Sequence, residues 1–195
     1  LFTAVDLPSV PANSIQLAAG ARISDYLALG DKKERVLGLV SLGSEVPIAL
    51  GTAQGVVKRV APGFPAKQEL DLIALKAGDE VVGIAQAPDE AELTFVTTDA
   101  QLLHFPASAV RPQGTAAGGM AGVNLPAKST ALFFGAVDPA GDAVVVTVSG
   151  SSAVLPGTDP GRVKVSDFAE FPGKGRATGG VRAHSFLKGE DTLTA

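Results

Sequence analysis

Apolar residues in this chain fall in short runs, each introduced by a small polar turn and closed by Gly, Pro or a charged pair. Residues 52–60 read Thr-Ala-Gln-Gly-Val-Val-Lys-Arg-Val, and residues 98–105 read Thr-Asp-Ala-Gln-Leu-Leu-His-Phe. Thr52 set against Thr98 gives a spacing of 46 residues. The next run, residues 144–148, leads into a similar turn at 149–152, about fifty residues further on. A second phrase recurs as Leu75-Lys-Ala-Gly-Asp-Glu-Val-Val-Gly, as Leu187-Lys-Gly-Glu-Asp-Thr-Leu, and more loosely from Leu29. Its Gly-Asp and Gly-Glu pairs supply the backbone freedom of a tight turn, so these phrases read as hairpin connections, with Lys76 and Lys188 as surface charge. No stretch keeps a capped helical stripe over three turns, so the pattern predicts short strands and almost no helix.

The turn-strand units alternate with a repeated box. Residues 114–122 read Gly-Thr-Ala-Ala-Gly-Gly-Met-Ala-Gly and residues 175–183 read Gly-Arg-Ala-Thr-Gly-Gly-Val-Arg-Ala, which sets Gly114 on Gly175, an offset of 61 residues, and Met120 on Val181. A period near 45 to 60 residues of short strands predicts a propeller-like array of about four antiparallel four-stranded units that bury their faces against neighbours. The repeats are drawn at roughly 1–48, 49–93, 94–143 and 144–195, sharing one core and forming a single domain over 1–195. The abundance of Gly and Pro, 23 and 13 of 195 residues, agrees with an all-β chain rich in turns. The opening residues, Leu1-Phe-Thr-Ala-Val-Asp-Leu-Pro, look like the middle of a repeat, so the expectation is a piece of a larger protein.

Charge narrows the partners. The net charge of −4 argues against an anionic polymer wrapped over the whole surface. Its distribution is uneven, however. Residues 161–188 hold Arg162, Lys164, Lys174, Arg176, Arg182 and Lys188 against Asp167 and Glu170, whereas residues 64–100 hold eight acids against Lys67 and Lys76. One sector is basic and another repels phosphate.

Other chemistry is scarce. With no Cys there is neither a disulfide nor a thiolate metal site, and the expectation is an intracellular protein. The longest apolar stretches are far shorter than a bilayer span, so a soluble domain without membrane contact is expected. His104 and His184 are the only histidines, and neither sits in a nucleophile pattern, so both read as structural. Residues 173–179, Gly-Lys-Gly-Arg-Ala-Thr-Gly, lack the glycine spacing of a dinucleotide site, and no phosphate-cradling Gly-x-x-x-x-Gly-Lys sequence occurs. Acidic residues are dispersed and no pair of His or Cys has ligand spacing, so no metal is expected.

Taken together, the turn-strand unit, the Gly-Arg-x-x-x-Gly-Val box and the Lys-x-Gly-Asp turn resemble the C-terminal β-pinwheel of the A subunits of bacterial type IIA topoisomerases, DNA gyrase and topoisomerase IV. The strongest likeness is residues 171–183, Phe-Pro-Gly-Lys-Gly-Arg-Ala-Thr-Gly-Gly-Val-Arg-Ala, followed by Leu187-Lys-Gly-Glu-Asp. Gly175, Arg176, Gly180, Val181 and Arg182 match in that box, and Gly114, Gly119 and Met120 in the earlier one. The resemblance implies a non-catalytic domain that binds and bends double-stranded DNA and presents it to the N-terminal cleavage core of the same polypeptide. It further implies a complex with an ATPase B subunit, ATP and Mg2+ used elsewhere in that complex, and a bacterial cytoplasmic, nucleoid-associated location. Tyr26 is the sole tyrosine and lies in repeat material, so it is not the DNA-attacking tyrosine of such an enzyme.

Phosphate neutralisation by Lys and Arg gives sequence-independent, salt-sensitive binding, with no base reading required. On that basis Lys164, Lys174, Arg176 and Arg182 are the main expected ligands, with Gly175 shaping a loop that exposes backbone N–H groups, and Lys58, Arg59 and Arg111 contributing from neighbouring blades. The family's hallmark Gln-Arg-Arg-Gly-Gly-Lys-Gly is missing. Its nearest counterpart, from Gln113, keeps the Gln and Gly-Gly but has no cation, which points to a topoisomerase IV-like or degenerate member that holds a segment without winding a long length of DNA. The alternative is a protein-interaction propeller with little DNA affinity, docking through the acidic sector at 69–92. In that alternative some of Phe64, Phe95, Phe105, Phe133, Phe134, Phe168, Phe171 and Phe186 would be exposed anchors, but most are expected in the core or between blades.

Overall fold

The structure, a computed structural model, describes residues 2–3, 27, 35–65, 67, 69–155, 158 and 161–195. The early turn from Leu29, Tyr26 and most of the surface loop at 155–161 lie outside these residues. In chain order the strands are β1 (Phe2–Thr3), β2 (Ile48–Thr52), β3 (Val56–Val60), β4 (Glu69–Leu70), β5 (Val81–Gln86), β6 (Glu92–Thr97), β7 (Gln101–Pro106), β8 (Pro112–Gln113), β9 (Met120–Ala121), β10 (Ala131–Val137), β11 (Val144–Gly150), β12 (Arg162–Asp167), β13 (Val181–Arg182) and β14 (Thr192–Leu193). Single 3-10 turns at Ala107–Ala109 and Phe168–Glu170 follow β7 and β12. Among the described residues no helix is long and apolar enough to cross a membrane.

Three hairpins organise the chain. β2–β3 carries β5 on its outer side, β6–β7 carries β10, and β11–β12 carries β14. The first two turns close alike. Thr52 Oγ1 accepts from Val56 N–H at 3.1 Å and Thr97 Oγ1 from Gln101 N–H at 3.0 Å, with Gly55 and Ala100 both left-handed at φ 78° and 62°. Thr97 therefore stands where Thr52 does, one residue before the Thr98 that the sequence alignment selects.

The array is all-β, as expected, but its sheets are not four equal four-stranded units. Among the described residues they hold two, five, four and three strands. The reason is strand exchange. β9 lies in the third expected repeat and pairs with β3 of the second, Met120 opposite Val57; β13 lies in the fourth and pairs with β7 of the third, Val181 opposite Leu102. Each box completes the sheet before its own.

Neighbouring sheets bury their faces against each other. Phe95, Leu103 and Phe105 of the second hairpin join Ala49 and Val57 of the first in one core, where the Phe95 and Phe134 rings sit 4.8 Å apart. Val96 and Leu102 face the opposite way and pack with Phe171 and Val145. The second hairpin is thus covered on both sides, which is why its apolar run does not alternate. The third sheet leaves Val144, Val146, Val163 and Val165 exposed.

The Leu187-Lys-Gly-Glu-Asp turn does more than reverse the chain. Glu190 accepts from Leu187 N–H at 2.8 Å and from Arg162 Nη1 at 2.7 Å, while Asp191 accepts from Ser152 Oγ at 2.6 Å and Ser152 N–H at 2.7 Å. The Leu187 N–H, with Ser149 and Arg162, holds the Glu190 carboxyl below its ordinary 4.5, and the Ser152 hydroxyl and amide hold Asp191 below 3.8. Because both are lowered on folding, their contribution is complete above those ordinary values and disappears as pH falls through the folded ones. Glu190→Gln with Asp191→Asn is therefore expected to lower the melting temperature near neutral pH and to converge with wild type only in acid, once pH has fallen below the folded values, as scanning calorimetry across pH would show.

Candidate nucleic-acid interface

The second box is held against β7 by backbone contacts. Beyond the Val181–Leu102 pairing, Arg182 lies opposite Gln101, Ala183 N–H donates to Ala100 O at 2.8 Å, and Lys174 N–H donates to His104 O at 3.0 Å. Close approach of the two backbones requires glycine at 180, where a Cβ would meet Leu102 O at 2.5 Å. Gly119 holds the same place in the first box, left-handed at φ 80° and over Val57 O.

The two boxes also touch each other. Arg176 Nη1 donates to Ala121 O at 2.6 Å, Ala177 N–H to Gly122 O at 2.7 Å and Asn124 N–H to Thr178 O at 3.0 Å, with Val123 and Thr178 bridged in parallel. The uncharged first box thereby acquires a guanidinium from the second. Lys174 Nζ reaches Gly180 O at 3.2 Å and Lys164 Nζ reaches Ala183 O at 2.7 Å. Lys164, Lys174, Gly175 and Arg182 are exposed and Arg176 is half-buried, so the basic cluster expected from the sequence is gathered around one box. Arg111 is exposed beside β8, on the sheet that carries the first box.

Lys58 and Arg59 are corrections to the expected rim. Both are buried, at 0% and 1% exposure, and out of reach of a phosphate backbone. Lys58 Nζ donates to Leu72 O, Thr115 O and Ala117 O at 2.7 to 2.8 Å, and burial lowers its pKa from the ordinary 10.5. Arg59 donates to Ala87 O, Ala107 O, Val110 O and Asp89. Strand β3 is covered on both faces, so its polar positions point inward as well as its valines.

Several acids of the 64–100 sector serve the fold. Asp79 accepts from Gln54 and Glu80 N–H, Asp99 from Thr97 and Ser129 hydroxyls, Asp89 from Arg59, and Glu92 pairs with His104 at 2.8 Å. Both histidines are buried structural residues. His104 Nε2 lies 2.9 Å from Phe171 O and its ring packs on Phe168, while His184 Nδ1 lies 2.9 Å from Thr147 Oγ1.

A family model described as the DNA gyrase C-terminal domain, a β-propeller, matches residues 91–131 and 157–195, the stretches that carry the second hairpin and both boxes. The chain belongs to this gyrase A C-terminal domain family. The DNA gyrase A protein of Escherichia coli K12 is 30% identical over 172 residues, an alignment covering 84% of this chain and 18% of that protein. The topoisomerase subunit TopoM of Mycolicibacterium smegmatis is 33% identical over 119 residues, covering 60% and 15%. This gyrase-type domain thus spans less than a fifth of those relatives. Its fold is also that of the solved C-terminal domain of DNA topoisomerase IV, with TM-score 0.73 at 22% identity over 90% of this chain and 54% of that one. The E. coli ParC C-terminal domain gives 0.56 at 16% identity, over 78% and 61%.

Proposed function

We propose that this domain holds a segment of double-stranded DNA by phosphate contacts along the second box, and serves as the accessory DNA-presenting domain of a type II topoisomerase of the gyrase A kind. The observation that carries the reading is the joint between the boxes, where Arg176 lies across Ala121 O with Lys174 and Arg182 on the same short loop and strand. Cations on a loop fastened by backbone contacts meet phosphate with little ordering left to do, and need no base contact. With no cation in the first box, the surface supports holding or bending a segment better than winding a long one. In this reading cleavage, ATP and Mg2+ belong to other parts of the complete enzyme, its partners are the cleavage core and the ATPase B subunit, and its place is the bacterial cytoplasm.

The test is binding to a duplex of about forty base pairs titrated in salt, with Arg176→Ala plus Arg182→Ala as comparison. Each phosphate contact contributes a slope of about 0.9 in log affinity against log salt, so the double change is expected to flatten the slope by roughly 1.8 and to weaken binding at least tenfold at low salt. Absence of wild-type binding at low salt would overturn the reading in favour of a domain that acts through protein contacts.

A further inference from the structure

Lys58 occupies a position where packing alone would be served by an aliphatic residue. In the second hairpin the equivalent place, six residues after the turn threonine, is Leu103, which is 1% exposed in the core. What a lysine adds is three N–H donors, and two of them leave its own repeat. They reach Thr115 O at 2.8 Å and Ala117 O at 2.7 Å in the turn of the first box, while the third goes to Leu72 O. Among the described residues that turn, Gly-Thr-Ala-Ala, also meets the body of the domain through a long Ala74 N–H to Ala117 O contact of 3.4 Å. A few residues beyond it, Gly119, Met120 and Ala121 lie along β3, and Ala121 O receives Arg176. Lys58 and Arg176 therefore grip the two ends of one short segment.

We propose that Lys58 is a positioning residue of the rim: from beneath, it fixes the uncharged first box as the platform on which the second box seats Arg176. A cation inside the fold then does indirectly what a cation within the first box would do directly. The effect on DNA rests on the phosphate-binding reading above; the coupling between the boxes does not.

The experiment compares Lys58→Met, which keeps the length and loses the donors, with Val60→Ala, a buried truncation on the same strand. Amide hydrogen exchange reads the coupling, and duplex binding in a salt series reads its consequence. Lys58→Met is expected to speed exchange at least tenfold across 114–122 and also across 175–178, and to flatten the salt slope by about one as Arg176 loses its seat. Val60→Ala is expected to leave both unchanged relative to its stability. Lys58→Gln, which retains two donors, is expected to fall between and replaces Lys58→Met should that variant not fold. Unchanged exchange at 175–178 in a folded Lys58 variant, or an equal change in Val60→Ala, overturns the proposal. If wild type binds no duplex while the exchange result stands, the DNA reading fails and the positioning role survives.

Discussion

Arg59→Met is expected to destabilise the domain by about 3 kcal/mol or more, while a folded sample keeps its salt dependence toward DNA. The guanidinium gathers Ala87 O at 2.9 Å, Ala107 O at 3.0 Å and Val110 O at 3.2 Å. Ala87 precedes the second hairpin, and Ala107 and Val110 follow it, so one side chain on β3 ties both ends of the next unit to the first sheet. The third hairpin is fastened similarly, with His104 on β7 meeting Phe171 O just past the second 3-10 turn. Methionine preserves the aliphatic stem but takes that donor from the buried Ala87 O and Val110 O, each worth about 1–3 kcal/mol unsatisfied, while Ala107 O keeps the Val110 N–H at 2.9 Å. The bond to Asp89 adds little, because that carboxylate is 74% exposed and regains water. For a domain of this size, 3 kcal/mol corresponds to a fall of about 6–12 °C in melting temperature. A loss under about 1 kcal/mol in denaturant unfolding would show that the carbonyls find other donors. A flattened salt slope would return Arg59 to the set of phosphate ligands.

That set shows where the sequence is legible and where it is not. The box duplication, the polar turn within each of the first two hairpins and the near absence of helix among the described residues are local signals, and the structure bears them out. Strand exchange is not local: Met120 meets Val57 and Val181 meets Leu102, and nothing in the intervening residues announces either partner. The correction at Lys58 and Arg59 has the same root. Within Val-Val-Lys-Arg-Val, charged residues beside valines look like the wet face of an edge strand, but a strand flanked by sheets on both sides has no wet face. The histidine four residues into β7 reads as structural from the sequence, and its equivalence with Arg59, 45 residues earlier, carries the same conclusion back. Gathering of Lys164, Lys174, Arg176 and Arg182 follows from their closeness in sequence; the reach of Arg176 onto Ala121 depends on the contact between boxes, which no local pattern encodes.

Gly180→Ala is expected to weaken duplex binding as much as removing Arg176 and Arg182 together, although it changes no charge. A Cβ at 180 would stand 2.5 Å from Leu102 O, 2.6 Å from Leu102 C and 2.9 Å from Leu102 N. These are backbone atoms of a buried strand, so the box must lift away, giving up the pairing of Val181 with Leu102 and Arg182 with Gln101. Since φ at 180 is not left-handed, the effect is steric and has nothing to do with backbone preference. Overpacking of this kind costs about 1–3 kcal/mol, which leaves the rest of the fold intact and displaces Lys174, Arg176 and Arg182 as a group. Gly179 supplies the control within the same Gly-Gly pair: a Cβ there meets nothing within 4 Å, and Gly179→Ala is expected to stay within about 0.5 kcal/mol of wild type and to bind normally. Two glycines indistinguishable in sequence would thus separate by their neighbours alone. Equal duplex affinity for the two variants would mean that the rim cations act independently of the strand that carries them.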